Sequence, residues 1–384
     1  MISFELTDEQ RELQRLTHEF AARELRPIAA EWDEREAFPP DLLAKAARAG
    51  LTSYAIPTEY GGGGADSVTS ALIAEELSWG CAGLASTLQA TMFPVRPLLR
   101  FGTASQRERY LPLLAREEGA LAAIAFTEAH AGSDLGALRT EARREGDEYV
   151  LTGEKVYITN GGVADVTLVF AKLDGELTAF VAESGDDGVT AGRVERKVGL
   201  RASHTGSLVL DAARLPSERR LGEEGEGLAV ALDFFQASRP QVAAAAVGVA
   251  RAAFEYATQY ARGREAFGRP ILSRQGVGFK LADMAMLVEA ARLLVWRAAA
   301  AVDRDEDAAL HGSFAKAFAA DAAMRITTDA VQVLGGAGIM RDQPVEKWMR
   351  DAKVFQIVEG TSEIQRHIVA TYLRGEQGDG QTPG

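Results

Sequence analysis

The polar and apolar positions change rhythm twice along this chain. Over the first third the spacing is helical: Thr7 opens a capping box with Gln10, and Leu13, Leu16 and Phe20 fall on one face until Pro27 breaks the pattern. Further helical stretches are predicted near 41–49, 67–79 and 84–100, divided by Pro39-Pro40 and by the run Gly61 to Gly64. After about residue 120 the segments turn short, β-branched or aromatic: Tyr149-Val150-Leu151, Val156 to Thr159, Val166 to Lys172, Leu177 to Val181 and Ser207 to Leu210, with glycines between them. From about residue 230 the helical period returns in three long alanine-rich segments, roughly 239–262, 275–302 and 306–334, as in a bundle. The order is therefore mainly α with a middle β domain: an α-helical domain over 1–120, a β domain over 121–229 and a helical bundle over 230–384. Alanine faces let helices approach closely, within a chain or between subunits, and the pattern alone leaves both open. Gly375 to Gly384 reads as a frayed tail.

Composition narrows the class. A chain of 384 residues with 47% hydrophobic and 25% charged positions has an ordinary globular balance and room for two or three domains. The net charge of −13 repels nucleic acid and anionic lipid, and the pairs Arg143-Arg144 and Arg219-Arg220 are too short and too near acids to reverse that field. Cys81 is the single cysteine, so no intrachain disulfide forms and a reducing compartment is expected. The start at Met1-Ile2-Ser3-Phe4-Glu5 lacks the layout of a signal peptide, and no apolar run is long enough to span a bilayer, so a cytoplasmic protein is expected. His18, His204, His311 and His367 lack ligand spacing, and no metal is expected.

Four segments could carry chemistry, and each has a plain structural reading beside the functional one. Thr127 to Asp134 gathers hydroxyls and turn-formers where helix gives way to strand, so its N–H groups could face a ligand, or it could be a connecting loop. Arg264, near Phe267-Gly268-Arg269-Pro270, could grip a diphosphate or cap its helix. Gln332 to Gly338 ends a helix in glycines that permit close backbone approach or make a C-cap. Glu359-Gly360-Thr361-Ser362 joins two helical segments, with Ser362 and Gln365 as a second capping box, so Glu359 sits in a turn where a carboxylate is usually solvated.

Taken in order, these motifs resemble the acyl-CoA dehydrogenase family along essentially the whole chain, from Phe4-Glu5-Leu6-Thr7 through Ile56-Pro57 and Tyr60-Gly61-Gly62 to Glu359-Gly360-Thr361-Ser362. The resemblance implies an N-terminal α-helical domain, a β-barrel-like middle domain and a C-terminal four-helix bundle around FAD. It implies flavin or phosphate contacts from Phe126, Thr127, Ser133, Tyr157, Ile158 and Thr159, and further cofactor contacts from Thr361 and Glu363. Phe267 would also contact the cofactor, and Arg264, Gln275, Gln332, Gly335 and Gly336 would hold the ADP part of FAD bound mainly to a neighbouring subunit, which implies a homo-oligomer, usually a tetramer. Ser133, Gln236, Arg239, Val358 and Gly360 would lie on the acyl-CoA side, with Arg239 ordering the surroundings of the base. Some members carry the base near Ala237, which offers no carboxylate here, so Glu359 is the expected base.

The implied reaction is α,β-dehydrogenation of an acyl-CoA thioester to a trans-2-enoyl-CoA. Glu359 would remove the α-proton, the β-hydride would pass to flavin N5, and an electron-transferring flavoprotein would reoxidise the cofactor. Two alternatives stand beside it: a flavin oxidase or monooxygenase on the same fold, and a non-catalytic helical interaction protein. The sequence departs from the usual family pattern at Ala129 and His130, commonly Pro-Gly, at Tyr157, often Trp, and at Ala266, often Thr.

Overall fold

The first helix, α1 (Asp8–Phe20), is capped as its sequence predicts: Thr7 Oγ1 accepts from the Gln10 N–H at 3.1 Å, and Gln10 Oε1 accepts from the Thr7 N–H at 3.1 Å. The computed structural model describes residues 5–375, so Phe4, the residues before it and the predicted tail beyond Gly375 lie outside the described residues. Two expectations for this segment are corrected. Leu16 is 47% exposed, because the inward stripe runs instead through Thr17 to Ala21 and Leu25. Pro27 does not end the helical path: it stands in the first turn of a 3₁₀ segment, where its missing N–H is not needed, and the chain runs on into α2 (Ala29–Arg35).

After α3 (Pro40–Arg48) comes α4 (Ser67–Ala90), whose start is fixed by Asp66 accepting from the Thr69 N–H at 2.7 Å. The break expected between residues 79 and 84 is a kink inside this one helix, at Cys81, and the expected helix over 84–100 is divided before α5 (Val95–Phe101) at a turn holding Pro94. α6 (Ala104–Leu114) leads to the sheet.

The strands are β1 (Ala122–Ala125), β2 (Glu141–Glu145), β3 (Glu148–Thr159), β4 (Val166–Leu173), β5 (Glu176–Glu183), β6 (Val189–Val194), β7 (Thr205–Pro216) and β8 (Arg220–Leu221). They form one sheet in the order β6-β7-β3-β2-β4-β5-β8, with β1 pairing β4 in parallel. The sheet is open, with β6 and β8 as its edges, which corrects the barrel-like expectation: among the described residues no ladder joins the two ends to close it. Two predicted segments, 149–151 and 156–159, are the two ends of β3, and the β3–β7 register shifts between Leu151 and Gly153 and again between Lys155 and Ile158. The second irregularity holds Tyr157 at φ 61°, so its ring leaves the sheet core, 62% exposed, between buried Val156 and Ile158.

The last region is helical: α7 (Gly227–Gly263), a hairpin of β9 (Glu265–Ala266) and β10 (Arg269–Pro270), then α8 (Gln275–Asp303), α9 (Ala309–Leu334), α10 (Pro344–Phe355) and α11 (Ser362–Leu373). α7 starts well before the predicted residue 239, because Pro240 costs one backbone bond inside a helix whose flanks are held by packing. The alanine faces meet within the chain, with Ala243, Ala246 and Ala250 of α7 in one buried core with Ala315, Ala319 and Ala323 of α9. At the crossing of α4 and α7, a Cβ on Gly248 would stand 2.2 Å from the Glu75 carbonyl oxygen, so only glycine lets these helices approach as they do. Among the described residues no helix is long and apolar enough to cross a membrane.

Candidate active site

The turn between α10 and α11 is gripped from several directions. Glu359 and Gly360 adopt φ 54° and 84°, and a non-glycine residue in the left-handed region carries strain on the order of 1 kcal/mol that its surroundings must hold. Lys316 of α9 donates its Nζ–H to the Gly360 carbonyl at 2.6 Å, and Gln365 Nε2 donates to the carbonyls of Glu359 at 3.1 Å and Gly360 at 3.2 Å. Asp321, also on α9, accepts from Gln356 Nε2 at 2.6 Å and from Ser362 Oγ at 3.1 Å, pinning both sides of the turn. The helix cap falls one residue earlier than expected: Thr361 Oγ1 accepts from the Ile364 N–H at 3.2 Å, which frees Ser362 for Asp321 and Gln365 for the turn carbonyls.

This turn aims the Glu359 carboxylate at α7, where Ser238 Oγ donates to Oε2 at 2.9 Å. Burial pushes the Glu359 carboxyl above its ordinary value, while Ser238, Arg239 and Lys316 oppose that shift. Arg239 is 7% exposed, its guanidinium 5.5 Å from the Phe235 ring centroid, and burial lowers it to about 10 against the pull of Glu359. Burial also lowers Lys316 to about 8. A carboxylate thus sits beside two cations that no ion pair joins directly to it among the described residues.

Glu359 and Val358 form part of the wall of a cavity of about 290 Å³. Its other walls come from α4 (Gln89) and the turn after it (Phe93), α7 (Val242, Ala245), α10 (Phe355) and the bulged end of β3, with Tyr157 and Thr159, and Glu195, Arg196 and Lys197 also line it. The lining combines aromatic rings, hydroxyls and apolar side chains, which fits a planar ring system with polar edges such as a flavin.

The residues singled out from sequence divide into groups. Tyr157, Thr159, Val358 and Glu359 line this one cavity. Phe126 lies in an aromatic cluster, 4.0 Å from the Phe170 centroid and 5.1 Å from that of Phe235, and Ile158 is buried in the sheet core. Thr127 is half-buried, its carbonyl accepting from the Val156 N–H at 2.8 Å, while Ser133 is exposed and not among the lining residues. Gln236 Oε1 accepts from the Ala308 N–H at 3.4 Å, the Gly360 carbonyl is taken by Lys316 and Gln365, and Glu363 is exposed. Arg264, Phe267, Gln275, Gln332, Gly335 and Gly336 are all exposed and none lines the cavity. They lie around the C-terminal ends of α7 and α9 and the start of α8, an end of the bundle tied by Lys280 to Asp329 at 2.5 Å.

Three residues near the site were not singled out. Ser238 lay inside the segment flagged through Gln236 and Arg239, and a serine interrupting the apolar face of a long helix was its signal. Lys316, a lone cation within Ala315-Lys316-Ala317-Phe318-Ala319-Ala320, was legible only as a charge in an apolar stretch. Lys155 is buried under the Thr127 loop: it donates to the Phe126 carbonyl at 3.0 Å and to Glu128 Oε1 at 2.7 Å. Burial alone would raise the Glu128 carboxyl, but bonds from Lys155, from Thr140 and from the Arg139 and Thr140 N–H groups hold it down at about 2.

Comparison with known proteins agrees along the chain. Family models for the acyl-CoA dehydrogenase N-terminal, middle and C-terminal domains match residues 7–118, 123–213 and 225–373. The chain is 43% identical over 376 residues to an acyl-CoA dehydrogenase of Bacillus subtilis, covering 96% of this chain and 99% of the relative. It is 43% identical over 374 residues to cyclohex-1-ene-1-carbonyl-CoA dehydrogenase of Geobacter metallireducens, covering 96% and 98%. Among solved structures, butyryl-CoA dehydrogenase from Megasphaera elsdenii superposes with a TM-score of 0.94 at 39% identity, covering 97% of this chain and all of that one. A chain from the structure of the electron transferring flavoprotein of Acidaminococcus fermentans matches with a TM-score of 0.94 at 39% identity, covering 97% and 99%. The chain belongs to the acyl-CoA dehydrogenase family and is an oxidoreductase of that kind.

Proposed function

We propose that this enzyme converts an acyl-CoA thioester to its trans-2-enoyl-CoA, with Glu359 as the base that removes the α-proton. The observation that carries the reading is the Glu359 carboxylate itself: it borders a largely apolar cavity, is raised above its ordinary value by burial, and is oriented by Ser238. FAD, held by Tyr157, Ile158 and Thr159 with Phe126, Thr127, Ser133, Thr361 and Glu363 around it, would supply the hydride acceptor. Glu359 takes the α-proton, and an apolar acyl chain entering the cavity excludes water and strengthens it as a base. Its own N–H is the donor for the thioester oxygen as charge builds there. Arg239 orders the surroundings of the carboxylate and opposes the rise that burial causes, and Gln236, Val358 and Gly360 shape the substrate side.

The exposed set at the far end of the bundle serves cofactor bound mainly to a neighbouring subunit. That reading implies a homo-oligomer, a tetramer in the family pattern, and it is supported by Phe267, 93% exposed at the hairpin tip beside Arg264. Electrons then leave to an electron-transferring flavoprotein. The division into an α domain, a middle β domain and a helical bundle near residues 120 and 230 belongs to the same reading.

The test is an anaerobic titration of FAD-loaded protein with acyl-CoA thioesters of graded length and branching, with Glu359→Gln as control. Bleaching of the oxidised flavin that is lost in the control supports the assignment. A yellow protein that no thioester reduces points to an oxidase or monooxygenase relative, and a colourless protein that does not take up FAD overturns the flavoenzyme reading.

A further inference from the structure

Lys316 is 1% exposed on the inner side of α9, and among the described residues no carboxylate stands within ion-pair distance of it. Its one side-chain hydrogen bond among the described residues goes to the Gly360 carbonyl, which Gln365 Nε2 already reaches at 3.2 Å. A neutral amide therefore serves that acceptor, and the hydrogen bond alone does not account for placing a full charge where water is excluded. What the charge faces does. Glu359 is surrounded by Ser238 and Arg239 from α7 and by Lys316 from α9, with Glu195, Arg196 and Lys197 further along the cavity wall. Lys316 faces, besides Glu359 and Arg239, Asp321 of its own helix and Glu363 of α11.

We propose that Lys316 is a positioning residue for Glu359: it anchors the left-handed turn through the Gly360 carbonyl and supplies a charge that favours the ionised carboxylate without touching it. A direct ion pair would hold the carboxylate oxygens and weaken them as proton acceptors. An ammonium tied to the adjacent carbonyl acts through space and leaves the carboxylate open to the substrate. The lowered affinity of Lys316 for its proton, to about 8, matches a cation kept for its field in a dry setting. This inference rests on Glu359 being the base.

The experiment compares wild type with K316M, K316Q and K316R as FAD-loaded enzymes. One readout is the pH dependence of anaerobic flavin reduction by a thioester that reduces wild type. The other is the carboxyl band of Glu359 in infrared titration without substrate, identified by its loss in Glu359→Gln. In K316M and K316Q the acid limb and the band midpoint should both move up by on the order of one pH unit, an approximately tenfold loss of rate below the midpoint, with KM little changed. K316R should restore both. K316Q guards against K316M failing to fold, since it keeps a donor. An unmoved midpoint in folded K316M or K316Q, or the same shift in K316R, overturns the proposal. If no thioester reduces wild type, the proposed reaction fails, and the infrared titration still decides whether Lys316 governs Glu359.

Discussion

Ser238 Oγ and Glu359 Oε2 stand 2.9 Å apart, joining the N-terminal half of α7 to a turn 121 residues further along the chain. The hydroxyl stabilises the charged carboxylate, so Ser238→Ala should raise the proton affinity of Glu359. Less base is then ionised at mildly acidic pH, and the acid limb of the pH–rate profile moves upward. The profile of Ser238→Ala against wild type checks this. Movement toward lower pH would contradict the assigned role.

Glu359→Gln should cut the rate of flavin reduction on the order of 10²-fold or more, because general-base contributions are of that size, while leaving thermal unfolding nearly unchanged. The amide keeps the shape of the side chain and can still meet Ser238. Stopped-flow reduction beside a thermal melt separates loss of chemistry from loss of fold.

The Glu128–Lys155 pair underlies the loop that begins at Thr127. Removing the carboxylate in Glu128→Ala leaves a buried ammonium without its counter-charge and should cost on the order of 3–5 kcal/mol in urea unfolding. The partners respond to pH in opposite senses: the carboxylate is held down at about 2, and burial lowers the ammonium to about 8. On the acid side only the carboxylate titrates. Its folded value lies below the ordinary 4.5, so its contribution is intact above pH 4.5 and is lost as pH falls toward 2. Glu128→Gln should flatten that part of the stability profile.

Gly248→Ala tests the helix crossing. The added methyl would meet the Glu75 carbonyl at 2.2 Å, and forcing α4 and α7 apart should cost roughly 1–3 kcal/mol even though alanine is the better helix former. A more stable variant would show that the contact is not limiting.

Periodicity was enough to read the order α, β, α and the long helices, because each buries a stripe wide enough to leave a regular pattern. It failed where burial departs from a simple stripe. β1 and β2 are missing from the sequence reading: Ala122–Ala125 is too small in its side chains to signal a strand, and Glu141–Glu145 is mostly charged on a half-exposed surface. Glu359 could be picked out only through its motif, since nothing local distinguishes it from a solvated turn residue. Ser238 and Lys316 meet it from helices far away in sequence, and that meeting is a property of the packed bundle.

The length of α7 sets a condition on how this enzyme works. Arg239 lies within α7 and Arg264 is the residue that caps its C-terminal end, 25 positions on, a separation of roughly 38 Å at 1.5 Å per residue. A rigid rod cannot bring both guanidinium groups to the same local site. On the proposed reading each chain therefore lends one end of α7 to its own reaction and the other to a copy beside it. Specific activity should then fall on dilution below the dissociation constant of the assembly, and mixing chains inactivated at Glu359 with chains inactivated at Arg264 should restore a fraction of it.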